Sequence, residues 1–104
     1  MKSFRFLGLL LVVGLLFPGC SRPAAVDRDN RRVLEEILTA ITLSNARLLE
    51  DSAKRAKERY DAGHLTDEEY RAMEAIINKA RAGDWGAAES DAYLFRKKHP
   101  FVQR

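Results

Sequence analysis

Cysteine occurs once in the 104 residues, at Cys20, so no disulfide can form within the chain. Histidine occurs twice, at His64 and His99, far apart, and neither has another histidine at helical spacing. That is little material for a zinc or haem site, and exposed or packing roles are expected for both. Proline and glycine are sparse, and neither occurs between Asn30 and Ala62. No segment alternates apolar and polar residues at the two-residue period of a half-buried strand. Nor is there a strong excess of one charge. Eighteen Lys and Arg against fifteen Asp and Glu give +3, and two of the basic residues, Lys2 and Arg5, lie in the first five positions. A chain starting at Cys20 carries +1, which excludes the electrostatic footprint of a nucleic-acid binder despite a pI near 9.2. Apart from the first nineteen positions, a good part of the apolar content is alanine. This suits one small helical domain with a thin core.

One long apolar run is present, and it is N-terminal. Met1–Arg5 is basic, Phe6–Phe17 is apolar apart from Gly8 and Gly14, and Pro18-Gly19-Cys20 follows. A charged start, an apolar stretch of this length and a small residue at its end form the pattern of a secretory signal. Twelve helical residues reach about 18 Å, short of the roughly 30 Å hydrocarbon core, so the run is not read as a lasting membrane span. Phe17-Pro18-Gly19-Cys20 resembles the lipobox of bacterial lipoprotein precursors, with Gly19 and Cys20 matching and Phe17 and Pro18 departing from the usual residues. The resemblance implies a signal peptide over 1–19 and a lipidated Cys20: a diacylglycerol thioether on the thiol and an acyl chain on the amine freed by cleavage. Two or three chains anchor stably where a single one does not. By the same resemblance, Ser21 points to the outer membrane, facing the periplasm. An ordinary signal peptide cut near Ala24-Ala25 is the competing reading.

Residues 20–29 read as a short tether, poor in apolar residues and containing Pro23, and 30–104 as the helical domain. Asp29 or Asn30 can cap a helix that runs to Ala62 and stops at Gly63. Leu34, Ile37, Leu38, Ile41, Asn45, Leu48, Leu49, Ser52 and Ala56 follow one another on its stripe at three- and four-residue spacing. The second helix, about 67–82, has the sharpest start signal in the chain. Thr66 and Glu69 form a capping box, Leu65 and Tyr70 a hydrophobic staple, and Asp67, Glu68 and Glu69 meet the positive end of the helix dipole. Gly83 ends it. Asp84 can cap a third helix, about 85–98, that stops before His99-Pro100. The fold class expected is all-α: a long first helix over about 30–62, with the two shorter helices folded back as a small antiparallel bundle.

The segment 60–77 resembles the SHOCT motif in Tyr60, Gly63, Leu65-Thr66, the acidic pair Asp67-Glu68 and Tyr70, though Met73 departs from it. That resemblance implies a small docking or oligomerisation element, whereas a tight hairpin with a glycine C-cap and a capping box explains the same residues locally. Ala82–Pro100 is similar to the first half of a tetratricopeptide-type unit, but one partial unit builds no solenoid. Arg31-Arg32 and Arg96-Lys97-Lys98 are basic clusters, either solvated or in contact with anionic headgroups or lipopolysaccharide phosphate. The carboxylates near Thr66 are explained by capping, so no catalytic, cofactor or metal residues are assigned.

The function expected is a small lipid-anchored, non-enzymatic interaction module of the bacterial cell envelope. Its partners would be the membrane, through Cys20, and another protein or a second copy. Two alternatives stand beside it: a structural or stress-related lipoprotein touching peptidoglycan or lipopolysaccharide, and a non-catalytic subunit of a larger envelope enzyme. A long first helix would outreach the helix folded back on it. Leu34, Ile37, Leu38 and Ile41 would then lie uncovered as a partner surface. If the helix breaks near Ser44-Asn45, four helices result and the stripe is buried.

Overall fold

A computed structural model describes residues 22–99 and 101 of the chain. The described residues form four helices and no strand: α1 (Ala24–Thr42), α2 (Ala46–Asp61), α3 (Asp67–Arg81) and α4 (Trp85–Lys98). The helices run antiparallel in sequence order. α1 packs on α2 and α4, α3 packs on the same two, and α1 touches α3 across the middle. This is a small all-α bundle of the up-and-down kind. The expected signal peptide over 1–19, Cys20 and Ser21 lie outside the described residues, as do Pro100 and the last three positions.

The first helix is not continuous over 30–62. It breaks at Leu43-Ser44-Asn45, and α2 returns alongside α1. Backbone hydrogen bonds from Ser44 N–H to Ile41 O (3.0 Å) and from Asn45 N–H to Ala40 O (2.8 Å) close α1 in a Schellman arrangement. Ser44 takes the left-handed conformation this needs, with φ +49°. The Asn45 side chain then accepts from Leu48 N–H at 2.9 Å and starts α2. The apolar stripe stays in phase through the break, so periodicity alone does not reveal it.

The consequence overturns the expected partner surface. Leu34 and Ile37 are 0% exposed, and Leu38 and Ile41 are buried beside them within the one chain. Exposing four such side chains would forgo about 1.5–3 kcal/mol each, and folding α1 back on the bundle avoids that cost. They share one core with Leu49, Ala56, Met73, Ile76, Ile77, Ala88, Ala92 and Phe95. The helices thus cover one another's apolar faces, and residues 22–101 make a self-contained folding unit.

The tether boundary also moves. Helix α1 begins at Ala24, not near Asn30, with Pro23 as its extended N-cap residue. Asn30 is no cap but an interior residue, fully buried. The later helices follow expectation closely. Thr66 and Glu69 form both halves of the capping box. Gly63 and Gly83 sit at φ +82° and +88° after α2 and α3, where a side chain is strained. Asp84 occupies the N-cap position of α4 without a side-chain hydrogen bond. Phe101 folds back and is buried against Phe95, ring centroids 6.0 Å apart.

Candidate functional site

Antiparallel packing gathers the start of α1, the α2–α3 turn and the end of α4 at one end of the bundle. Arg22 is the first described residue. Its guanidinium forks onto Glu69, with Nη1 donating to Oε1 at 2.8 Å and Nη2 to Oε2 at 3.0 Å. Nη1 also reaches His64 O at 3.2 Å, and Nη2 lies 2.8 Å from Asp27 Oδ1. The guanidinium carbon stands 5.9 Å from the Phe101 ring centroid.

Glu69 is only 7% exposed and has two tasks. The same Oε1 that meets Arg22 accepts from Thr66 N–H at 2.9 Å, and Glu69 N–H donates to Thr66 Oγ1 at 3.0 Å. Burial pushes the carboxyl up, but the hydrogen bonds from Arg22 and Thr66 and the charge of Arg22 outweigh it. Glu69 is held below the usual carboxylate range. Arg22 is in turn raised, chiefly by its hydrogen bond to Glu69, and stays charged. Behind this pair, buried Asn30 donates to His64 O at 2.9 Å and accepts from Arg59 Nε at 2.6 Å. Arg59 Nη2 also donates to Val26 O at 3.2 Å. These bonds fasten the start of α1 to the turn that α2 and α3 share. On the outer side of that turn Tyr60 and Tyr70 stack at 4.4 Å, and Tyr60 Oη donates to Asp67 Oδ1 at 2.6 Å.

Two grooves open beside this end. One, of about 420 Å³ between α1 and α2, alternates charge: Asp29, Glu36 and Glu58 against Arg32, Arg55 and Arg59. Arg55 and Glu36 pair across it at 2.7 Å. The other, of about 540 Å³, lies between α1 and α4. Among the described residues it is lined by Arg31, Arg96 and Lys97, by the carboxylate of Glu35, and by Leu34 and Phe101. Arg96 Nη1 is 3.2 Å from Glu35 Oε2, and its guanidinium lies 5.0 Å from the centroid of half-exposed Tyr93. His99 packs on Phe95 with ring centroids 4.6 Å apart and planes tilted by 36°, and completes the groove's edge.

Arg31 of one basic cluster and Arg96 and Lys97 of the other therefore line one groove, while Arg32 and Lys98 line different ones, and Leu34, Ile37, Leu38 and Ile41 belong to the core. Arg22, Asn30 and Arg59 were missed as a group. Their partners are 29 to 47 positions away, and no local pattern marks such pairs. Chemically, the Arg22–Glu69 pair and the Thr66 cap leave the Glu69 carboxylate fully engaged. Among the described residues, no group of three or more His, Cys, Asp or Glu is placed to hold a metal ion. No family model matches the chain, and neither the curated proteins nor the solved structures contain a match to it.

Proposed function

We propose that the chain is a small lipid-anchored, non-enzymatic helical interaction module of the bacterial cell envelope, held through Cys20. The observation that carries this reading is the junction between the signal-like segment and the bundle. The basic start, the apolar run and Gly19-Cys20 are followed after one residue by Arg22, which is already clamped to Glu69. Consecutive Cα atoms are 3.8 Å apart, so Cys20 Cα lies within about 7.6 Å of Arg22 Cα. A lipid on Cys20 would thus hold the bundle close to the bilayer surface by its α1 end. No described helix is long and apolar enough to cross a membrane, so attachment in this reading rests on the lipid alone. In this orientation the α1–α2 and α3–α4 turns point away from the bilayer and carry exposed Leu43 toward a protein partner. The outer membrane, on its periplasmic face, is the proposed location.

The test is a Cys20→Ser precursor beside wild type in a bacterial host, followed by metabolic labelling with a palmitate analogue and fractionation of the envelope. The expected result is label and membrane recovery for wild type, with an unlabelled, unprocessed precursor for the variant. Identical maturation and fractionation of the two would sink the proposal.

A further inference from the structure

We infer that the pocket formed by Glu69, His64 O, Asp27 and Phe101 is an arginine-binding site, filled in this chain by its own Arg22 as a displaceable latch and open to an arginine side chain from another polypeptide. The inference goes beyond the lipid-anchor reading and does not depend on it. The walls of the pocket are set by bonds that do not involve Arg22. Thr66 N–H fixes Glu69 Oε1 at 2.9 Å, and Asn30 Nδ2 fixes His64 O at 2.9 Å. Asp27 belongs to the first turn of α1, and Phe101 is buried against Phe95. Two carboxylate oxygens side by side, a carbonyl beside them and a ring centroid 5.9 Å away suit a planar guanidinium better than an ammonium, which cannot fork onto both oxygens. Nearly buried, the Glu69 carboxylate also requires a cation, whichever chain supplies it.

Arg22 is placed to be exchanged. The first backbone hydrogen bonds of α1 run from Val26 and Asp27 N–H to Pro23 O, so Arg22 stands outside the helical ladder. Pro23 has no N–H, and swinging Arg22 away about that residue costs the helix no hydrogen bond. The Arg22 side chain is 30% exposed, which leaves the site a mouth to solvent. The fit is also incomplete. Asp27 Oδ1 is buried and 2.8 Å from Arg22 Nη2, yet it has no hydrogen bond of good geometry among the described residues. An arginine entering from another direction can engage it as well as Glu69.

The experiment uses residues 20–104 with Cys20→Ser, which carry the complete core and no lipid. Ethylguanidinium chloride is the probe, compared at equal ionic strength with sodium chloride and ethylammonium chloride. Arg22→Ala empties the pocket. Its melting temperature should rise by about 4–8 °C when ethylguanidinium stands at about five times its dissociation constant. Wild type, with the pocket filled, should shift far less, and Arg22→Ala combined with Glu69→Gln should not respond. Should Arg22→Ala lack helical circular dichroism on its own, recovery of that signal with ethylguanidinium reads the same binding. Neither rise nor recovery, equal rises in the three proteins, or an equal rise with ethylammonium would overturn the inference. Sedimentation of wild type over a wide range of concentration distinguishes two sources of the arginine. A dimer lost in both Arg22→Ala and Glu69→Gln, alongside the probe response, assigns it to Arg22 of a second copy. A monomer throughout, alongside the same response, assigns it to a different protein. The protein tested lacks Cys20, so its result stands apart from the labelling test.

Discussion

The α1–α2 and α2–α3 turns have the same backbone plan and different residues. Each ends its helix with a Schellman pair of hydrogen bonds: Ser44 to Ile41 and Asn45 to Ala40 in the first, Gly63 to Tyr60 and His64 to Arg59 in the second. Each starts the next helix with a side-chain cap, Asn45 in one and Thr66 in the other. The left-handed position is Ser44 in the first turn and Gly63 in the second. The second turn announces itself, because glycine and a capping box are strong local signals. The first is held by what it makes possible, the return of α2 onto the stripe of α1.

The largest test of this comparison is Ile37→Glu. With Ile37 fully buried, a carboxylate there should cost more than about 4 kcal/mol and unfold the chain as a monomer, seen as loss of helical circular dichroism. A folded monomer that merely fails to associate would mean that the first turn does not bring α1 into the bundle.

Next in size is Glu69→Gln. Gln still serves a capping box, so the substitution isolates the charged bond between Arg22 and the second turn. A loss of about 2 kcal/mol is expected near neutral pH by urea unfolding. Because the folded carboxyl titrates below its unfolded value, this contribution is complete above about pH 4.3 and fades as the pH falls through the lowered folded value. The gap between wild type and variant should therefore close on acidification, and a constant gap would rule out the ionised pair.

Gly63→Ser would give the second turn the residue type of the first. Nothing lies within 4 Å of an added Cβ, so only the φ of +82° opposes it, and about 1–2 kcal/mol should be lost. The two caps come next: Thr66→Ala and Asn45→Ala should each cost about 1 kcal/mol, and no shift in melting temperature for either would remove it from the N-cap role. The smallest effect expected is a gain. Ser44→Gly relieves the left-handed strain and should stabilise the protein by about 0.5–1 kcal/mol. A loss instead would mean that Ser44 contributes a contact beyond its backbone geometry.

The legible parts of the fold share one property, that their causes lie within a few residues. Thr66 and Glu69 are three apart, and Gly63 and Gly83 each follow the C-cap residue of the helix they close. The α1–α2 break was legible only as an alternative, because Ile41, Asn45 and Leu48 keep helical phase across it. Of the candidate site, Arg31 and Arg96-Lys97 were visible as separate clusters, but their meeting depends on how α4 is laid against α1.

By itself the sequence determined the helical class, the ends of α3 and the close of α2, because capping and left-handed turns are set by hydrogen bonds within one helical turn. Tertiary structure decided three other things: that α1 folds back rather than projecting, that Arg22 is built into the bundle rather than left in a tether and Asn30 is buried rather than capping, and that Arg31 and the distant Arg96-Lys97 line one groove. Those outcomes depend on burying Leu34, Ile37, Leu38 and Ile41 against chain that follows later, and on pairing polar groups 29 to 47 positions apart. Burial of apolar surface is non-directional, so a stripe shows that it must be covered and leaves the cover to be settled by the packing of the whole chain.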